Sequence, residues 1–307
     1  MNTVSRLIDQ FIPTHYNLAL ILEREERKIS GTVTITGEFA AESKTIAVHA
    51  KDLVIMTVTI DDQNAPFSNG ENDEINITPA TTTPGEHTIV ITYRGTITDG
   101  MHGLYPCYYE ENGVKKELLA TQFESHHARE AFPCIDEPEA KATFDVVLTT
   151  EPNITALGNM PTKSQEEQDG KLVTVFETTP RMSTYLIAFI TGDLQRKTAK
   201  TKGGVEVGIW ATKAQPAESL DFALETSVKV LEFYNDYFGI DYPLPKCDHV
   251  ALPDFTSGAM ENWGLITYRE VALLADPRYA GISAKQYIAV VIAHESAHMW
   301  FGDLVTM

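Results

Sequence analysis

Polar and apolar residues alternate through most of the first half of the chain. Ile29, Gly31, Val33, Ile35, Gly37 and Phe39 are separated by polar neighbours, the period of a strand with one buried face. Tyr16, Leu18, Leu20 and Leu22 repeat the pattern, as do Ile75 with Ile77, and Ile89, Ile91 and Tyr93. Further strand-like runs occupy Phe144 to Leu148, Leu172 to Phe176 and Tyr185 to Ile190. Turn-forming pairs such as Asn69-Gly70 and Pro84-Gly85 punctuate them. Many short strands at this spacing predict an antiparallel sandwich or saddle-shaped sheet.

The period changes after about Gly192. Leu220, Leu224, Val228, Leu231 and Phe238 mark one face of a helix that begins near Pro216, with Gly239 just past its end as a left-handed cap. A second helix is expected from Ser283, where Ser283 and Gln286 have capping-box spacing, and Tyr287 to Phe301 continue it without a proline. The polar stretch Asp193 to Lys202, ending in Lys202-Gly203-Gly204, is the natural boundary. The expected organisation is an all-β region over 1–195 and a mixed helix-and-strand region over 196–307. No internal repeat or low-complexity tract stands out.

Composition narrows the picture. The 307 residues suit two domains, and 43% hydrophobic with 22% charged content is that of a globular protein rather than a disordered one. The net charge of −19 disfavours a sequence-independent hold on nucleic-acid phosphates, which needs clustered Lys and Arg. It suits a cytosolic protein or one with a cationic ligand. Met1 to Thr14 hold no apolar core of signal-peptide length, and the longest apolar run, Tyr287 to Ala293, is far below a membrane span. Cys107, Cys134 and Cys247 are odd in number and widely spaced, so they read as packing residues of a cytoplasmic protein. No membrane or nucleic-acid partner is expected; oligomeric state is not encoded legibly.

The strongest chemical signal is His294-Glu295-Ser296-Ala297-His298. At about 3.6 residues per turn, imidazoles four positions apart meet one metal ion. The glutamate beside the first can reach a water on that metal without ligating it. Zinc would bring that water's pKa to about 7, and Glu295 could accept its proton as general base. Two histidines leave a third protein ligand to be found. Asp303 lies about 140° around an ideal helix from His298 and is a poor choice; His126, His127 and His249 are remote candidates, the adjacent pair reading as solvent-facing. A second signal, Gly258-Ala259-Met260-Glu261-Asn262-Trp263-Gly264, sets a backbone-accessible pair before a carboxylate, although alone it reads as a turn with a solvated glutamate. The third, Thr121-Gln122-Phe123-Glu124 followed by Ala128 to Pro138, reads alone as a loop with an Arg129–Asp136 or Arg129–Glu137 pair.

Taken together, and with Pro13-Thr14-His15-Tyr16, these segments resemble the aminopeptidase N family of zinc metallopeptidases, the gluzincin aminopeptidases. The resemblance spans nearly the whole chain. It implies a mostly β, saddle-like antiparallel N-terminal domain followed by the first part of an α+β thermolysin-like catalytic domain. It implies zinc on His294 and His298, with Glu295 activating water. Glu261 and Glu124 would hold the free α-ammonium of a peptide, Gly258 and Ala259 would offer backbone contacts, and Gln122 and Met260 would line the first side-chain pocket. Asn262 would support that loop. The implied activity is zinc-dependent release of N-terminal residues from peptides with a free N-terminus. Ser296 and Met299 stand where the family often has leucine and glutamine, and His126-His127 replaces a more usual polar pair. In the family the third ligand is a glutamate nineteen residues after the second histidine, here beyond Met307, so the chain is expected to be a truncated, inactive portion that binds zinc weakly. A non-catalytic peptide-binding or scaffold protein of this fold, and a bifunctional epoxide hydrolase/aminopeptidase, are the alternatives.

Overall fold

The computed structural model describes residues 6–39, 45–78 and 83–306. Residues 1–5, the start of the stretch read for a leader, and Met307 lie outside the described residues. In chain order the strands are β1 (Phe11–Glu23), β2 (Lys28–Phe39), β3 (Ile46–His49), β4 (Val54–Ile60), β5 (Gln63–Asn64), β6 (Phe67–Asn69) and β7 (Glu74–Ile77). There follow β8 (Gly85–Thr96), β9 (Gly103–Glu111), β10 (Val114–Gln122), β11 (Thr143–Thr150), β12 (Thr155–Gly158), β13 (Thr162–Gln168) and β14 (Lys171–Phe176). The rest are β15 (Phe189–Gly192), β16 (Leu194–Lys200), β17 (Glu206–Thr212), β18 (Lys246–Leu252), β19 (Ala259–Met260) and β20 (Leu265–Arg269). The α-helices are α1 (Asp221–Phe238) and α2 (Ile282–His298). No helix of the described residues is long and apolar enough to cross a membrane.

The chain divides into two compact units, neither contiguous in sequence. The first comprises residues up to Leu104, Gln122–Asn153 and Thr162–Ile187; the second comprises Tyr105–Thr121, Ile154–Pro161 and Ala188 onward.

The first unit is all β apart from short turns. Its large sheet has the order β13-β14-β11-β1-β2-β8-β4-β5, and a small sheet has the order β3-β7-β6. The alternating positions of the sequence form its buried face: Tyr16, Leu18 and Leu20, Val33 and Ile35, Ile89 and Ile91, Phe144 and Leu148 are all essentially inaccessible. Each such side chain contributes about 1.5–3 kcal/mol by leaving water. Pro13 sits in a central strand that would otherwise need its amide, and the register shifts there, between Pro13 and His15. The pairing is antiparallel with one departure from expectation: β1 and β11 run parallel, with Tyr16 opposite Phe144 and their rings stacked 4.8 Å apart. Parallel neighbours need a long crossover, which pattern along one strand cannot reveal. The Tyr185–Ile190 run also departs from a single strand. Thr184–Leu186 form a 3-10 turn and β15 starts only at Phe189, because a fully buried run records burial rather than period.

A polar knot ties this unit's core. The Ile135 N–H donates to Tyr16 Oη at 3.1 Å, and the Asp136 N–H donates to His49 Nδ1 at 3.1 Å. Asp136 takes the Arg129 guanidinium at 3.1 Å and the Thr184 hydroxyl at 2.8 Å. Arg129 therefore pairs with Asp136; Glu137 instead accepts the Leu7 N–H at 2.7 Å.

In the second unit a five-stranded sheet has the order β16-β17-β18-β20-β19. β17, β18 and β20 are parallel, while β16 and β19 are antiparallel edges. β12-β15-β10-β9 form a separate sheet. α1 ends at Gly239, whose φ of 65° makes the left-handed cap that the sequence predicts. Its inner line is Leu220, Ala223, Ser227 and Leu231, while Leu224, Val228 and Phe238 are half-buried, a small rotation from the expected face. α2 begins at Ile282 with Gly281 as an extended N-cap, so the Ser283–Gln286 capping box does not form and both residues are exposed. It ends at His298 rather than Phe301, with the Trp300 and Phe301 N–H groups both donating to Ala297 O.

Tyr16→Phe keeps the ring but removes the acceptor of the buried Ile135 N–H. It should cost about 1–3 kcal/mol of unfolding free energy, read as a lower urea midpoint at unchanged m-value.

Candidate active site

α2 buries Ile288, Ile292, Glu295 and Ser296 and leaves the adjoining face, with His294 exposed and His298 half-buried. The inner side chains fix its rotation, and two hydrogen bonds hold its C-terminal part and the turn that follows. The Tyr234 hydroxyl on α1 donates to Ala293 O at 3.0 Å, and Trp300 Nε1 donates to Ile240 O at 2.9 Å. On this fixed turn the Nε2 atoms of His294 and His298 converge to 3.2 Å, with the rings edge to face. His298 Nδ1 lies 2.9 Å from Phe301 O, so that nitrogen carries the proton and Nε2 presents its lone pair. Two nitrogens on one tetrahedral zinc stand roughly 3.3 Å apart. The pair could therefore hold such an ion without rearrangement. Glu295, between them in sequence, is 5% exposed.

The other half of the arrangement is the sheet edge. β19 pairs on one side only, with Ala259 opposite Tyr268 and Met260 opposite Thr267. The segment is clamped at both ends. The Arg269 N–H donates to Gly258 O at 2.9 Å, the Leu265 N–H to Asn262 O at 2.9 Å, and Asn159 Nδ2 to Trp263 O at 3.0 Å. Asn262 Nδ2 reaches Thr267 Oγ1 at 3.2 Å, so Asn262 braces the loop. Glu261 follows β19 directly and is 6% exposed. α2 packs against β19, which brings the histidine helix and the Gly258–Asn262 segment together in one unit.

Gln122 and Glu124 belong to the first unit. Gln122 is the last residue of β10 and is buried, with Oε1 unpartnered; Glu124 is exposed. Asp303, the poor third ligand by helix geometry, is fully buried, and its charge acts on Tyr242 and Cys247. His249 is fully buried with both nitrogens occupied, Nδ1 by the Tyr268 hydroxyl at 2.9 Å and Nε2 by the Cys247 thiol at 3.6 Å. It is a core residue, not a ligand. His126 is exposed as expected, but His127 is half-buried against Glu130.

Sequence reasoning missed two tyrosines. Tyr268 on β20 faces Glu295: burial first, then that negative charge, pushes its phenol well above the ordinary value. Tyr287 stands seven positions before His294, on the same helix face, with its hydroxyl 3.7 Å from where a Cβ on Gly258 would sit. The seven-residue spacing was visible in the sequence; the approach to Gly258 was not.

Residues 12–186 match the Peptidase M1 N-terminal domain and residues 222–307 match the Peptidase family M1 domain. Aminopeptidase N of Lactococcus lactis subsp. lactis is 53% identical over 309 residues, covering 99% of this chain and 36% of the relative. Aminopeptidase N of Lactobacillus helveticus is 46% identical over 306 residues, covering 99% of this chain and 36% of that protein. Puromycin-sensitive aminopeptidase of Caenorhabditis elegans is 43% identical over 306 residues, covering 96% of this chain and 32% of that protein. The chain spans about a third of the length of these relatives.

Burial drives the His249 pKa from 6.5 to about 4, against the opposing charge of Asp248. The folded chain thus excludes a proton that the unfolded chain accepts near pH 6.5. Stability should be level above that pH and fall by roughly 3 kcal/mol between about pH 6.5 and 4. Urea unfolding across that range should show a shallower slope for His249→Gln.

Proposed function

The chain belongs to peptidase family M1, and on that premise we propose that it is part of a zinc-dependent aminopeptidase that releases N-terminal residues from peptides. The observation that carries this reading is the 3.2 Å convergence of the His294 and His298 Nε2 atoms on a helix packed against β19, the strand that directly precedes Glu261. Zinc held by His294 and His298 would polarise the scissile carbonyl as a Lewis acid and lower the pKa of a water to about 7.

The chain's own residues supply the rest. Glu295 accepts the proton of the attacking water and returns it to the leaving amine, a role suited to a buried carboxylate beside the ligand pair. The unpaired edge of β19 offers main-chain hydrogen bonds to an extended peptide. Gly258 and Ala259, without bulky side chains, let that peptide approach. Glu261 lies beyond the end of β19, where a carboxylate meets an α-ammonium rather than a continuing chain. Met260 lines the first side-chain pocket. Anchoring a charged amine is what separates removal of one terminal residue from internal cleavage.

This reading assigns the chemistry to residues 196–307. Substrates are peptides with free N-termini. A cytoplasmic site of action is supported by three buried, unpaired cysteines.

In a chain extended to the length of its relatives, single N-terminal residues should be released from peptides, and chelation should abolish release. Glu295→Gln should lower kcat by about 10²–10⁴-fold, while Glu261→Gln should act mainly on KM. Equal cleavage of an N-acetylated peptide would sink the reading.

A further inference from the structure

We propose that His102, His127 and Glu130 form a second cation site in the first unit, suited to a first-row transition metal of the zinc or cobalt class. Neither the aminopeptidase reading nor the α2 histidines enter this proposal, because all three residues belong to the other compact unit.

The cluster is built by local backbone geometry. Ala128–Glu130 form a 3-10 turn in which the Glu130 N–H donates to His127 O at 3.1 Å. In a 3-10 turn residues three apart eclipse one another, so His127 and Glu130 point the same way. His102 approaches from the segment entering β9. There Gly103 has a φ of 65°, and a Cβ on it would stand 2.8 Å from Glu130 Oε2. Only glycine both takes that conformation and leaves room for the carboxylate.

His102 Nδ1 lies 2.7 Å from Glu130 Oε2, and His127 Nδ1 lies 2.9 Å from Glu130 Oε1. One ligand atom from each residue falls within 4.8 Å of the other two, and the imidazole centroids are 4.4 Å apart. Two imidazole nitrogens and one carboxylate make a donor set that suits zinc, cobalt or nickel and not the all-oxygen preferences of magnesium or calcium. The separations must open by about 0.5 Å to span a tetrahedral ion. The His102 side chain, 42% exposed, has room to move, and its open flank admits water as a fourth ligand.

Charge and protons fit as well. Burial alone would raise the Glu130 pKa, yet hydrogen bonds from His127, Lys51 and His102 hold it down to about 2. The carboxylate is therefore charged at any working pH. A cation displaces the Nδ1 protons, which neutral imidazole transfers to Nε2 without changing its charge. Lys51 Nζ lies 2.9 Å from Glu130 Oε1 and competes for the same oxygen. Its side chain is one-third exposed, and the negative charges of Asp73 and Asp52 act on it too, so it can be released toward them.

The test uses the 307-residue chain carrying His294→Ala and His298→Ala, which removes the other imidazole pair. Titration with cobalt(II), followed by visible absorption, should show one bound equivalent. Adding His102→Ala or Glu130→Gln should weaken binding at least about 10-fold. No cobalt spectrum in the parent variant, or one indifferent to these changes, overturns the site. A second measurement needs no substitution. A metal on Nδ1 leaves Nε2 protonated and unreactive, so zinc should slow diethyl pyrocarbonate modification of His102 and His127, read by peptide mass spectrometry, while exposed His126 reacts as before. Equal rates with and without zinc at His102 and His127 also overturn it.

Discussion

One turn of α2 is the constraint on which the rest depends. Four residues of an α-helix return a side chain to nearly the same face, and that alone aims two imidazoles at one point. The turn is useful only if it does not rotate. Ile288 and Ile292 hold it from beneath, while the Tyr234 hydroxyl of α1 donates to its Ala293 carbonyl and Trp300 donates to the Ile240 carbonyl. The Phe301 carbonyl then selects the tautomer of His298. The convergence of the two imidazoles is thus maintained by groups outside the pair, because orientation is set by what packs behind them.

The sheet beside it is specialised in a complementary way. Its parallel strands, β17, β18 and β20, are buried along almost their whole length. The sheet ends at two antiparallel edges, β16 and the short β19. Free edges invite other strands, and at β19 the edge is only two residues long, between a glycine and a buried glutamate. Tyr268 and His249 fill the space behind Glu295 with a hydrogen-bonded polar group rather than aliphatic packing. Burying neutral imidazole this way costs stability at low pH, but it gives the carboxylate a fixed and polar wall.

Legibility varied along the chain for identifiable reasons. Half-buried strands such as β2 and β8 announced themselves, since a period of two records which face meets the core. The Tyr185–Ile190 run did not resolve into its turn and strand, because residues buried on every side carry no period. The start of α2 was misplaced because Ser283–Gln286 has the right spacing, while backbone arriving extended at Gly281 sets the cap earlier. His127 looked like a solvent-facing neighbour of His126; a 3-10 turn, three residues long, brought it onto Glu130 instead.

Residue order alone determined the strand-rich first half, the left-handed glycine cap of α1, and the pairing of His294 with His298. Each depends on neighbours within about four residues, where backbone geometry is nearly invariant. Tertiary structure alone decided the parallel match of β1 with β11, the choice of Asp136 over Glu137 for Arg129, the approach of Tyr287 to Gly258, and the meeting of His102 with His127 and Glu130. Those contacts join residues that are distant in the chain or offered in alternatives, and the packing of the whole chain selects among them.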